Sequence, residues 1–299
     1  MAHHATSPVA QGAETPGPAT QPVLNPKSGF WEVTLHSEDQ AGPTLVEFLL
    51  PEKLDPAKEY PVLYVLPVGG EHKDPPVWGK GLEEAKKAGI ADKYGVICVA
   101  PTFSIHPWMG NHATDRHLRQ EDYVLNTLIP YVDRTYRTQR SKEGRWLIGF
   151  SKSGWGSFTL IFRHPDVFGY AAVWDAPLMM NGENTGKNWG PMGVNKVYGT
   201  KENFLNFLPS VLAKEAAPAF KDRQRLVLGV GKYWKPQCEK MHELLQTLQI
   251  PHGYNPDLLF EHRWDTGWFV PLVDELVRTA RQPRKPAEQN RNATTQPSK

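Results

Sequence analysis

Gly149-Phe150-Ser151-Lys152-Ser153-Gly154 follows the apolar run Trp146-Leu147-Ile148 and opens a segment of helical composition. A serine on a tight turn between a buried strand and a helix has the form of a nucleophile elbow. The turn lifts the hydroxyl out of the sheet, and the helix start behind it offers backbone N–H groups to a developing oxyanion. Because the elbow strains the backbone at the serine, the positions two before and two after it must be small. Gly149 and Ser153 meet that need, although glycine at both is the usual pattern. The bare motif is common, and its place between strand and helix is what carries the reading. The plain alternative is a helix start that happens to hold small residues.

Composition bounds the answer. The 299 residues are enough for one sizeable core and allow one or two domains. Apolar content of 39% and charged content of 22% are those of a soluble globular protein. A net charge of +2 argues against nucleic acid or an anionic membrane as partner. The sequence has no apolar run of membrane-spanning length. Cys98 and Cys238 are the two cysteines; the first sits in the run Val96–Ala100 and the second in a helical stretch. They read as unpaired core thiols, and neither spacing suggests a metal site. Residues 1–26 are poor in large apolar side chains and lack the apolar core of a signal peptide. They read as a disordered leader, with a lean toward export, and residues 282–299 as a polar tail. Asn292-Ala293-Thr294 fits a glycosylation pattern but falls in that tail, where chance explains it.

Between the ends, residues 27–281 read as one α/β domain. Apolar runs at Trp31–Leu35, Leu45–Leu50, Val62–Leu66, Val96–Ala100, Trp146–Phe150, Tyr170–Trp174, Leu226–Val230 and Leu258–Phe260 are strand candidates. Several are continuous rather than alternating, as strands buried on both faces should be. Asp39-Gln40-Ala41-Gly42-Pro43 joins the first two as a hairpin. Helical periodicity appears near Leu82–Ile90, Glu121–Tyr131, Gly154–Arg163, Glu239–Leu248 and Phe269–Arg281. The expectation is a mostly parallel central sheet with an antiparallel N-terminal hairpin and helices on both faces. In such sheets the ligand site lies beyond the carboxyl ends of the strands, so the residues after each strand are where chemistry is sought.

Pro67-Val68-Gly69-Gly70 follows one strand, and its glycine pair lets an N–H turn toward the nucleophile. Val68 or Gly69 is the candidate second oxyanion donor beside the Lys152 N–H; a plain turn is the alternative. His72, with Glu71 and Asp74 nearby, reads as a solvated loop histidine rather than a metal ligand. A general base must reach the serine hydroxyl, and eleven histidines compete. His3 and His4 lie in the leader, His36 too early in the fold and His164 at the far end of the elbow helix. His242 reads as outward-facing, and His252 as lying at the wrong edge of the sheet. His106, His112 and His117 share one loop, suited to lining a pocket but not to supplying the base. His262 combines a late position, a strand end and the aromatic neighbours Trp264 and Trp268, and is the candidate base.

From about Pro61 to Arg281 the chain resembles the esterase D-like group of α/β-hydrolases, which includes feruloyl esterases and mycolyltransferases. The likeness rests on Tyr60-Pro61-Val62-Leu63-Tyr64-Val65-Leu66 with Gly69-Gly70, then Leu128-Ile129-Pro130-Tyr131-Val132 and Tyr136-Arg137-Thr138. The elbow, Arg163-His164-Pro165-Asp166-Val167-Phe168, and His262 with its tryptophans complete it. The resemblance implies an α/β-hydrolase fold and serine-dependent acyl transfer, usually ester hydrolysis without a cofactor.

Two departures stand out. Members usually carry glycine in place of Ser153 and a hydrophobic residue in place of Lys152, whose cation beside the nucleophile would favour anionic acyl or sugar-acid substrates. A lysine pointing to solvent is the plain alternative. The family's triad acid normally follows the strand Leu226–Val230, but Gly231-Lys232-Tyr233-Trp234-Lys235-Pro236 holds no carboxylate, and Glu239 comes too late. Asp175, ending Tyr170–Trp174 beside the nucleophile strand, is the candidate replacement, against a turn-capping aspartate. Asp265 is the weaker choice, being too close in sequence to His262.

Trp108, Trp189, Trp234 and Trp264 lie on loops at this end of the sheet and are candidate walls for a sugar ring or aromatic acyl group. Met179–Gly193 is long for a connection and suits a lid. The leading expectation is a serine carboxylesterase acting on carbohydrate or aryl esters. An acyltransferase of the same fold is its near neighbour. A non-catalytic binding protein, suggested by the empty acid position, is the alternative from another class. An Asp175 within hydrogen-bond reach of His262 Nδ1 would favour the enzyme.

Overall fold

Nine strands form a single sheet in the order β1-β2-β3-β5-β4-β6-β7-β8-β9 in a computed structural model that describes residues 20–70, 76–181 and 191–283. They are β1 (Val23–Leu24), β2 (Trp31–Leu35), β3 (Thr44–Leu49), β4 (Val62–Val65), β5 (Ile97–Pro101), β6 (Arg145–Phe150), β7 (Tyr170–Trp174), β8 (Leu226–Gly229) and β9 (His252–Asn255). Strands β1 to β3 pair antiparallel, as does β3 with β5; all later pairings are parallel. This is the α/β arrangement expected from the alternation of apolar runs.

The continuous apolar runs have a direct cause. In β4, Val62 and Tyr64 enter one core while Leu63 and Val65 enter the other. Strand residues alternate faces, so a strand covered on both sides has no polar position to spare. One face is covered by the helical stretch that runs from α3 (Gln120–Asp122) through a π-helical turn (Tyr123–Leu128) into α4 (Ile129–Thr135), with Tyr123, Val124 and Leu128 in the core, and by α5 (Ser151–Arg163), α8 (Pro209–Ala216) and α9 (Lys235–Thr247). The other is covered by α1 (Gly81–Lys87), α2 (Ile90–Tyr94) and α10 (Phe269–Arg281). Short helices α6 (Val194–Tyr198) and α7 (Lys201–Leu205) pack with Trp108 and Trp155 into a third cluster. Cys98 and Cys238 are both free and buried, and burial pushes each thiol up to about 12. No helix of the described residues is long and apolar enough to cross a membrane.

Three expectations need correction. Leu258–Phe260 is not a strand; the last strand among the described residues is His252–Asn255, which pairs with β8. Val23–Leu24, grouped with the leader, instead adds an edge strand to β2. His242 does not face outward freely: its ring stacks on Tyr254 with centroids 3.6 Å apart, and its Nδ1 lies 2.8 Å from His252 Nε2. His72, Glu71, Asp74, Trp189 and the Asn292 site lie outside the described residues.

Candidate active site

The turn from β6 into α5 places Ser151 as the first helical residue, with φ +52°. Left-handed backbone is rare for a residue with a Cβ and marks stored strain. Gly149 is required because a Cβ there would lie 2.5 Å from both the carbonyl carbon and oxygen of Ser153. Ser153 repays its departure from glycine: its Oγ accepts from the Phe150 N–H at 3.1 Å and donates to the Phe150 carbonyl at 2.9 Å. It therefore ties the last strand residue to the first helical turn.

Asp175 ends β7, the neighbour of β6, and is fully buried. Its Oδ2 lies 2.7 Å from His262 Nδ1. The same carboxylate accepts the Trp234 N–H at 2.6 Å on Oδ1 and the Tyr233 N–H at 3.2 Å on Oδ2. A buried carboxylate with three donors has the hydrogen bonds that burial demands. His262 is held by rings on several sides, with centroids 4.9 Å from Phe150, 5.0 Å from Tyr233 and 5.8 Å from Trp78. Asp265 turns away to grip Arg263 through two hydrogen bonds of 2.8 Å, which hold its carboxyl below the usual range.

Residues 99–249, just over half of the chain, match the family described as "Putative esterase". The chain belongs to this esterase family. It is a carboxylesterase, and it hydrolyses esters. Among solved structures it is similar to a ferulic acid esterase at 18% identity and a TM-score of 0.63, covering 84% of this chain and 96% of that one. It is also similar to MPT51 of Mycobacterium tuberculosis at 15% identity and a TM-score of 0.66, over 84% of this chain and 99% of that one. An S-formylglutathione hydrolase from Staphylococcus aureus matches at 16% identity and a TM-score of 0.61, over 84% and 98% respectively. At these identities the likenesses establish the α/β-hydrolase fold.

In the esterase, Ser151 and His262 line one cavity of about 220 Å³, together with Val68, Lys152, Trp78, Met192, Tyr233 and Trp234. Gly69, with φ +88°, lines a neighbouring cavity instead. Trp234 is thus where the sequence puts an aromatic wall, whereas Trp108 and Trp264 require correction. Both are fully buried. Trp108 packs edge-on against Trp155, and Trp264 packs against Phe150 with its ring 2.9 Å from where a Gly81 Cβ would stand. They are packing residues behind the wall. Trp78 takes the open position that sequence reasoning missed. Its carbonyl accepts the Trp264 N–H at 2.9 Å, and the Val77 carbonyl accepts Arg263 Nη1 at 2.8 Å, so the histidine loop itself positions it. Lys152 extends over the Trp108 ring, its Nζ 5.7 Å from the centroid, and burial pulls its pKa below the ordinary lysine value.

Proposed function

We propose that this esterase cleaves aryl or carbohydrate carboxylic esters through an acyl-enzyme on Ser151. Ser151 Oγ attacks the carbonyl carbon while His262 Nε2 takes its proton. The oxyanion accepts the backbone N–H of Lys152 and that of Val68 or Gly69. His262 then returns the proton to the departing alcohol oxygen, and a water molecule, deprotonated by the same ring, releases the acid and frees Ser151. Asp175 accepts the Nδ1–H, keeps Nε2 free to act as base, and offsets the charge on the imidazolium.

The observation that carries this reading is the 2.7 Å contact of a fully buried Asp175 with His262 Nδ1. It supplies, from the adjoining strand, the carboxylate that the loop after β8 lacks. The shared cavity of Ser151 and His262 supports the pairing, and the presence of Val68 on its wall favours Val68 over Gly69 as second donor. Trp78, Tyr233 and Trp234 around the opening favour a planar acyl group or a sugar ring. A ferulic acid esterase from Anaeromyces mucronatus, 17% identical, has been solved in complex with ferulic acid. The test is a fluorophosphonate probe on wild type and Ser151→Ala, with the adduct located by mass spectrometry. Labelling at Ser151 that vanishes in the variant is expected; a folded wild-type protein that takes no probe would overturn the proposal.

A further inference from the structure

The wall that Trp78 gives the cavity is fastened to the loop that carries His262. Trp78 lines the cavity beside Ser151 and His262, and its ring stands edge-on to the imidazole with centroids 5.8 Å apart. The ring is 40% exposed, so packing alone holds it only in part. Two hydrogen bonds cross to the wall from the residues just after His262. The Trp264 N–H donates to the Trp78 carbonyl at 2.9 Å, and Arg263 Nη1 donates to the Val77 carbonyl at 2.8 Å. The first is made by backbone and survives any side-chain exchange except proline. The second depends on arginine.

Three contacts aim that guanidinium. Asp265 accepts Nε on Oδ1 and Nη2 on Oδ2, both at 2.8 Å, which fixes the plane of the fork and leaves Nη1 for Val77. The main chain of Arg263 is itself pinned, its carbonyl accepting Trp268 Nε1 at 2.7 Å and Thr266 Oγ1 at 3.0 Å. On the wall's side, the turn at Gly79 (φ +72°) packs on the clamp, where a Cβ would lie 3.4 Å from Asp265 Cγ and from Trp264 Cβ. A lysine lacks the planar fork that gives the second bond its direction. Arg263 and Asp265 are partly exposed, and an ion pair so placed adds little to global stability. What it governs is where Val77 and Trp78 stand.

We propose that Arg263, aimed by Asp265, is a positioning residue that holds Trp78 as the wall selecting esters with an aromatic group, without itself touching substrate. This rests on the reading of Ser151 and His262 as nucleophile and base. Loosening the clamp lets the Trp78 ring leave its contact with a bound aromatic group. An ester too small to reach the wall is turned over as before.

The test uses two matched pairs of esters. p-Nitrophenyl cinnamate against p-nitrophenyl acetate puts the aromatic ring on the acyl side, and benzyl acetate against methyl acetate puts it on the alcohol side. In at least one pair, Arg263→Gln is expected to cut the aromatic-to-small ratio of kcat/KM about 5-fold, through KM, with kcat for the small member within about two-fold of wild type. Asp265→Asn, which keeps the arginine but weakens its grip, should cut the ratio less, and Arg263→Lys should not restore it. Trp78→Ala should cut the same ratio, and adding Arg263→Gln to it should cut no further, since the clamp then has no ring to place. The ratio is internal to each variant, so a lower yield of folded protein leaves it unmoved. A ratio unmoved in both pairs by Arg263→Gln or by Trp78→Ala overturns the clamp alone, as do two effects that multiply in the double variant. No turnover of any ester by wild type, with no fluorophosphonate uptake at Ser151, overturns the hydrolase reading and the clamp together.

Discussion

The backbone N–H of Ser151 donates to the carbonyl of Asp175 at 3.1 Å, and both residues have left-handed backbone, φ +52° and +41°. Each ends one of two adjacent parallel strands, so the strand ladder continues one bond past the sheet and fixes the two turns against each other. Left-handed conformations cost about 1–3 kcal/mol each for residues bearing a Cβ. That cost, met twice side by side, directs the serine hydroxyl and the carboxylate from one rigid edge. Asp175→Asn removes the acceptor that selects the His262 tautomer, and kcat/KM for an activated ester is expected to fall about 10³- to 10⁴-fold. A loss smaller than ten-fold in steady-state kinetics would take Asp175 out of the acid's role.

Ser153→Ala leaves the buried Phe150 N–H without its side-chain acceptor and should destabilise the fold by about 1–2 kcal/mol. Urea unfolding followed by tryptophan fluorescence measures this. An unchanged midpoint would show that the Ser153 hydroxyl contributes nothing to the elbow.

Acid should loosen the far edge of the sheet. Burial holds His252 below its ordinary pKa of 6.5, and burial does the same to His242, which contacts it. Below pH 6.5 the unfolded chain takes up protons that the folded chain resists. Their contribution is therefore complete above that value and declines as the pH falls toward the folded-state value. Each such group can change stability by at most about 1.4 kcal/mol per pH unit. His252→Gln should flatten the dependence between pH 7.5 and 5.5 in denaturant titrations; an unaltered slope would assign the acid sensitivity elsewhere.

Tyr233 is 67% exposed, yet its ring lies 5.0 Å from that of His262 at the cavity mouth. Tyr233→Ala is expected to raise KM for an aryl acyl ester about 5- to 10-fold relative to an acetyl ester of the same alcohol, the worth of one ring contact. Equal effects on the two substrates would mean that Tyr233 orders the loop and does not touch the acyl group.

Much of the architecture was legible because burial writes itself into side-chain type. Val62, Leu63, Tyr64 and Val65 can only be a doubly covered strand. His252-Gly253-Tyr254-Asn255 carries no such mark: among the described residues it lies at the sheet edge, paired with β8, and only Gly253 is buried. Leu258, apolar enough to suggest a strand, instead lends its carbonyl to Trp174 Nε1 at 2.9 Å. The strand-end rule pointed to Ser151 and Asp175, which do follow β6 and β7, but reached His262 through Leu258–Phe260, which is not a strand; His262 lies on the loop between β9 and α10. The rule had no purchase on tryptophans. Trp108 and Trp264 fill space behind the cavity and Trp78 faces it, and nothing local in sequence separates the two uses. Backbone contacts from the histidine loop decide the matter for Trp78, and they are visible only in three dimensions.

Asp175 holds the loop after β8 through the backbone N–H groups of Tyr233 and Trp234, while the side chains of those residues line the cavity. Every amino acid except proline brings the same N–H. Evolution is thus free to exchange what stands at 233 and 234, and with it the shape offered to a substrate, while the tether to the carboxylate persists. In the proposed mechanism, a carboxylate carried at the end of β7 separates the chemistry from the side chains that shape the cavity.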